Sequence, residues 1–311
     1  MNDGTVVQFL MIAIAAGTPL VLAATGEIVS QRSGVLNLGL EGIMLLGAST
    51  AFWAASASGS AWLGLAVGAA SGVVLAALLG VMAISLRANQ IVVGIAIVIL
   101  GSGIASYLGE AGPMLTQREP GGSFEPLLGS GAADLPLIGP ILFGQDVLVY
   151  LSWLFVAGAS WYLFRTRAGL SLRAVGEDPA TADARGIAVA RTRWVHVLAG
   201  GAAAGVAGAS LPLALFGSWS DNLSSGSGWI AFAIVIFAVW RPWRALVAAY
   251  LFGALTSIGF NLQLLDIPVP VALLTALPYL MTLVALIVSS VAAGRLGAPA
   301  ALGEPFWRER R

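Results

Sequence analysis

The sequence predicts an all-α integral membrane protein of about nine transmembrane helices, with broken helices and an inverted internal repeat, amino end out and carboxyl end in. Composition is the first ground. The 311 residues are 58% hydrophobic and 10% charged, whereas a soluble domain is roughly 25% charged. Too few polar side chains remain to cover a water-facing surface, so lipid must serve as solvent. The other two grounds are the recurrence of apolar stretches of spanning length and the uneven placement of arginines among the segments between them.

A hydrocarbon core roughly 30 Å thick needs about 20 apolar residues per helix. On that scale spans are expected at 6–25, 36–56, 61–86, 90–109, 146–164, 194–216, 228–240, 245–262 and 271–293. The first follows Met1-Asn2-Asp3-Gly4, which lacks the basic start of a secretory peptide, so it is expected to be retained. The second begins in a polar, glycine-rich stretch. The third carries Gly64, Gly68 and Gly72 at every fourth position, and the sixth carries Gly201 and Gly205, a spacing that lets backbones approach closely. The seventh is short for a full crossing, and short or interrupted segments are where transporters build binding sites. The whole chain, 1–311, reads as one transmembrane domain with a long loop at 165–193.

Arginine placement sets the orientation. If the 165–193 loop is cytoplasmic, alternate counting puts Arg32, Arg87, Arg241, Arg244, Arg295, Arg308, Arg310 and Arg311 inside and only Arg118 outside. The outer segments collect Asp3, Glu110, Glu119, Glu125, Asp134, Asp221 and Asp266. Spans one to four and six to nine then pair with opposite orientations, as an inverted repeat requires. Span two with its Gly39-Leu40-Glu41-Gly42 answers to span seven with its Gly228-Trp229-Ile230.

Chemistry concentrates in two stretches. In 26–42, Gly34, Gly39 and Gly42 interrupt the helix, and irregular backbone at membrane depth is tolerated only against protein or a water-filled cavity. Asn37 and Glu41 would share one face of a helix formed there. Glu41 either pairs with Arg32 to hold the loop or contacts substrate directly, since ionisable groups at this depth are costly and usually functional. In 165–193, Asp178 is a good N-cap, Pro179 suits the first helical position, and Gly186 is placed to end the helix. A preceding short helix is expected over 169–175, ended by Gly176. Such a platform serves either docking or a rest on anionic headgroups, and the acids among its arginines favour docking.

Arg-Ser-Gly-Val-Leu-Asn-Leu-Gly-Leu-Glu-Gly at 32–42 and Arg-Ala-Val-Gly-Glu-Asp-Pro-Ala-Thr-Ala-Asp-Ala-Arg-Gly-Ile at 173–187 resemble the nucleoside and simple-sugar permeases of ABC importers. These share a superfamily with the ribose and branched-chain amino acid permeases. The resemblance runs from about residue 6 to 293. It implies that Arg173, Gly176, Glu177, Asp178, Pro179, Ala182, Arg185 and Gly186 form a coupling helix for an ABC ATPase. It further implies a second permease, expected to be a different paralogous chain, an extracytoplasmic substrate-binding lipoprotein, and residence in a bacterial plasma membrane. Asp178 stands where asparagine is commoner in that motif, and either residue caps a helix.

For a nucleoside, Trp229 is a candidate stacking surface, and Asn37, Asn89, Gln90 and Asn261 are candidate hydrogen-bonding groups beside Glu41. Each has a plainer reading: tryptophan favours membrane interfaces, and amides cap or bridge helices. No lysine occurs, so no phosphate-binding Walker loop exists here, and ATP would be bound by the partner subunit. No cofactor, metal or nucleic-acid partner is expected. A secondary transporter coupled to an ion is the alternative, although Glu41 is nearly the only buried acid it could use. An intramembrane hydrolase would need a serine partner for the single histidine, His196, and none is evident.

Overall fold

The computed structural model describes residues 3–110, 119–127, 138–264 and 297–308, with isolated helical positions between 276 and 287. Its elements are α1 (Asp3–Gln31), α2 (Leu40–Ser58), α3 (Ala61–Gly80, continued by a π-turn over Val81–Ser85), α4 (Gln90–Gly109), α5 (Ile138–Phe143), α6 (Val147–Arg165), α7 (Arg167–Glu177), α8 (Pro179–Ala184), α9 (Val189–Ser210, continued by a π-turn over Leu211–Leu215), α10 (Ser227–Phe237) and α11 (Pro242–Leu264). Among the described residues six helices are long and apolar enough to cross a membrane: α1 to α4, α6 and α9. The described residues form helices and no strands, and the chain is a multi-pass integral membrane protein. The seventh expected span appears as the short α10, and the eighth as α11. The ninth, 271–293, lies outside the described residues apart from those isolated positions.

Local chemistry starts these helices. Asn89 caps α4 by accepting from the N–H groups of Ile91 at 3.0 Å and Val92 at 3.2 Å, and Asp146 caps α6 by accepting from Leu148 at 2.7 Å. The long apolar helices carry little amphipathic contrast, as suits helices packed against lipid and one another, whereas Arg167–Glu177 in the loop is amphipathic. α2 is the centre of the bundle, packed against α3, α4 and α9, while α4 presents Val92, Ile99 and Tyr107 outward. The small residues of α3 meet α9 and α2. A Cβ added at Gly68 would sit 2.8 Å from the Gly47 carbonyl and from the Ala209 methyl. Lipid-embedded helices gain nothing from mutual apolarity, so this close approach supplies the packing contacts that hold them together.

Between α1 and α2 the chain leaves the helix over 32–39, turning at Gly34 with φ +87°. Three buried side chains satisfy this irregular backbone. Glu27 accepts from the Asn37 N–H at 3.2 Å, Gln90 from the Leu36 N–H at 2.7 Å, and Asn37 from the Gly39 N–H at 3.0 Å. Asn37 thus precedes the helix and does not share a helical face with Glu41, correcting that expectation. The turn between α10 and α11 places Val239 and Trp240 at φ +52° and +51°. The Trp240 indole N–H donates to Gln31 at 2.7 Å, and its carbonyl accepts from Arg32 at 3.3 Å. Arg32 is therefore engaged by this turn and not by Glu41.

The segments at one end of the bundle are tied together by residues 297–308. Ala301 donates to the Gly176 carbonyl at 2.9 Å, Gly303 to the Gly34 carbonyl at 3.1 Å, and Arg308 pairs with Asp183 at 3.2 Å. Arg32, Arg87, Arg173, Arg185 and Arg193 lie on these same segments. At the other end Phe124 donates to Leu213 at 2.9 Å and Leu127 to Gln145 at 3.0 Å, on segments that carry Glu119 and Glu125. The described arginines thus gather at the loop end, alongside Glu177, Asp178, Asp183 and Glu304, while the opposite end carries acids without described arginines.

Candidate functional site

The site is built where two interrupted elements meet. Glu41 stands in the first turn of α2, 5% exposed, and points at the amino end of α10. One carboxylate oxygen accepts from the Ser224 hydroxyl and from the Gly226 N–H at 3.0 Å; the other accepts from the Gly228 N–H at 2.6 Å. The first N–H groups of a helix have no partner of their own, and the helix dipole favours a negative charge beside them. Glu41 answers both needs from another part of the chain. The contact is close because residue 228 is glycine: a Cβ there would lie 2.5 Å from the Glu41 Cα. The turn feeding α10 takes left-handed backbone at Asn222, Ser225 and Gly226, with φ of +57°, +45° and +81°.

Beside this junction lies a cleft of about 720 Å³, within the roughly 300–1,000 Å³ typical of small-molecule sites. Glu41 and Trp229 line it, as do Asn222, Ser225 and Ser102 with the apolar Val98. Val98 and Ser102 stand at the middle of α4, so the cleft lies at mid-depth of the bundle. Trp229 is 41% exposed and offers its indole to the space. The lining therefore combines a ring face, hydroxyls, an amide and a fixed carboxylate. That set suits a solute with both a flat face and several hydrogen-bonding groups.

Of the residues the sequence singled out, Glu41 and Trp229 line the cleft. Asn37 is buried in the α1–α2 break, Gln90 is buried at the start of α4 with its side chain accepting from that break, and Asn89 caps α4. The side chain of Asn261 lies outside the described residues. Asn222 and Ser225 escaped the sequence reading. Their one local signal was the Asn-Leu-Ser-Ser-Gly-Ser-Gly run at 222–228, rich in turn formers.

The second candidate surface is the 165–193 loop. Thr166 caps α7 by accepting from the Gly169 N–H at 3.0 Å. Asp178 caps α8 by accepting from the N–H groups of Ala180 at 3.1 Å and Thr181 at 3.0 Å, and Pro179 takes the first position. The Thr181 hydroxyl also donates to Asp178, and these bonds hold its carboxyl below the usual carboxylate range. Gly186 has φ +83° and closes α8 as expected. α7 does not stop at Gly176, however; it runs on to Glu177. Gly176 packs its bare backbone against the Arg32 carbonyl, a contact that any side chain would prevent. Val175, Ala182 and Val189 form a small core beneath the loop. Glu177, Asp178, Arg185 and Gly186 remain exposed, Arg173 is half-buried over the Phe164 ring, and Ala182 is buried.

His196 is buried, with its ring nitrogens bonded to the Tyr162 hydroxyl at 2.8 Å and the Thr192 carbonyl at 2.6 Å. The described partners of its two nitrogens are thus a tyrosine hydroxyl and a backbone carbonyl. Among the described residues no group of three or more histidine, cysteine, aspartate or glutamate side chains could hold a metal ion.

Comparison with known proteins bears on what these surfaces serve. The family model described as branched-chain amino acid transport system / permease component matches residues 9–294. A putative glucose ABC transporter permease protein of Haloferax volcanii is 38% identical over 95% of this chain and 96% of its own. A nucleoside ABC transporter permease protein of Lactococcus lactis is 35% identical, and a guanosine ABC transporter permease protein of Bacillus subtilis is 33% identical. Each of those two alignments covers 98% of this chain and 99% of the relative. No solved structure matches.

Proposed function

The chain belongs to the branched-chain amino acid transport system / permease component family, and from that premise we propose that it is the membrane-spanning subunit of an ABC importer carrying nucleosides. The observation that carries the substrate class is the mid-depth cleft, which a partly exposed tryptophan lines together with hydroxyl and amide side chains and the Glu41 carboxylate. A nucleobase stacks on the indole while ribose hydroxyls meet Ser102, Asn222 and Ser225. A simple sugar, the substrate class in the printed name of the Haloferax relative, is the second candidate.

In this reading α7 and α8 are the coupling element, and Glu177, Asp178, Arg185 and Gly186 meet an ABC ATPase that binds the ATP. Nine spans, the amino end outside and the carboxyl end in the cytoplasm complete the topology, with the bacterial plasma membrane as its site. A paralogous permease and a substrate-binding lipoprotein complete the assembly. The gathering of arginines at the loop end supports that orientation.

The test is co-purification with the neighbouring ATPase in mild detergent, followed by uptake in proteoliposomes. ATP-dependent accumulation of labelled guanosine, undiminished by excess glucose, is the expected result. Glucose accumulation would move the substrate to the sugar class. Uptake along an ion gradient without ATP would overturn the reading in favour of a secondary transporter.

A further inference from the structure

We propose that the loop end of the bundle carries a binding site for a phosphoryl anion, in a pocket of about 420 Å³ walled by Arg87, Arg191, Arg193 and Arg308. Arg193 is the core of the argument. Its side chain is 1% exposed, and its Nη1 donates to the Glu304 carbonyl at 3.0 Å. Its Nε and Nη2 have no hydrogen-bond partner among the described residues. A guanidinium held out of water with two donors unmet is costly, and the cost is relieved when an anion accepts from them. The planar fork of an arginine matches two oxygens of a phosphoryl group.

The surroundings favour such an anion. Arg87 leaves the π-turn of α3 with φ +58°, and its guanidinium lies 4.3 Å from the centre of the Trp307 ring. That stacking fixes a second cation at the pocket wall. Two acids lie nearby: Asp183 is paired with Arg308 at 3.2 Å, and the exposed Glu304 offers Arg193 its backbone carbonyl while its carboxylate acts on Arg193 across space. Phe306 supplies an apolar wall. Among the described residues four guanidiniums line the pocket against one carboxylate, with Glu304 a second acid close by. The remaining positive excess suits an anion of more than one charge, which a phosphoryl group provides. The walls come from the α3–α4 turn, α8, the start of α9 and the 297–308 tail, so occupancy would fasten the tail to the loop. The site stands independently of which solute the cleft carries.

Either a soluble phosphate or a phospholipid headgroup presents this chemistry, and two arms of one experiment separate them. The full chain, purified in uncharged detergent, is heated with and without pyrophosphate; in parallel it is heated in neutral-lipid nanodiscs with and without phosphatidylglycerol. A saturable rise of the unfolding midpoint in the first arm assigns the site to soluble phosphate, and a rise in the second assigns it to headgroups. Because Arg193→Gln could disturb folding, the control is the double variant Arg87→Gln, Arg191→Gln, both at exposed positions. It is expected to weaken the effect about tenfold or more. No rise in either arm, or an equal rise in the double variant, would overturn the site.

Discussion

Replacing Glu41 by glutamine tests the junction with almost no change of shape. One side-chain oxygen survives and can still accept from Ser224 and Gly226. The other becomes an amide nitrogen, which then faces the Gly228 N–H across a gap of 2.6 Å in the native contact. Two donors cannot bond, so one charge-assisted hydrogen bond is lost and one helix-terminal N–H is left unmet. Hydrogen bonds to charged groups contribute about 1.5–3 kcal/mol, and an unmet buried donor costs about 1–3 kcal/mol. Loss of the negative charge at the start of α10 adds a few tenths to about 1 kcal/mol. These contributions overlap, and the adjoining cleft admits water to relieve part of the loss. A destabilisation of about 2–3 kcal/mol follows. The assay is denaturant unfolding of the purified chain in detergent, followed by tryptophan fluorescence, with Glu41→Asp as a second variant. A change below about 0.5 kcal/mol, the range of an ordinary surface substitution, would refute the view that this carboxylate holds α10 to α2.

Trp229→Ala should raise the apparent KM for nucleoside uptake roughly two- to tenfold, the equivalent of a lost stacking contact of about 0.5–1.5 kcal/mol, with Trp229→Phe close to wild type. Gly186→Pro should abolish substrate-stimulated ATP hydrolysis while the bundle stays folded by circular dichroism, because proline cannot take φ +83°. Glu177→Arg should uncouple in the same assay. Asp178→Asn should hold coupling within about twofold at neutral pH, since both residues cap a helix. The Asp178 carboxyl titrates below its unfolded range. Its contribution is therefore whole above the unfolded pKa and is lost only as pH falls through the lower folded value. Hydrogen exchange over 179–184 should accordingly be insensitive to pH between 5 and 8 beyond the intrinsic chemical rate.

What the sequence made legible was local. The Asp178 cap, the Gly186 stop, the short α10 and the fourth-position glycines of α3 each depend on neighbours within a turn or two, and each was found. The cleft was half legible: Glu41 drew notice as an acid among apolar residues, and Trp229 as an aromatic opening a short helix. Its partner could not be read, because Glu41 meets residues more than 180 positions away, and no periodicity reports such a contact. Asn37 looked helical with Glu41 because the spacing allows it. The Glu27 carboxylate takes up the Asn37 backbone N–H, and the residue stays outside the helix. α7 ran past Gly176 for a similar reason, since that glycine is needed for contact with another segment and not for a stop. The Arg193 pocket depends on a tail more than a hundred residues downstream.

The contact between Gly176 and the Arg32 carbonyl gives the bundle a linkage in the mechanical sense. α7 bears on the first residue of the unwound stretch 32–39, and that stretch ends at the turn of α2 that carries Glu41. Close-packed interiors have no slack to absorb a push. α8, α7, the 32–39 stretch and the first turn of α2 thus form one run of contacts that leads from the exposed loop to the wall of the cleft. The 32–39 link has no continuous helical ladder; turn hydrogen bonds at 32–34, the Gly303 bond to the Gly34 carbonyl and three side-chain hydrogen bonds hold it in place.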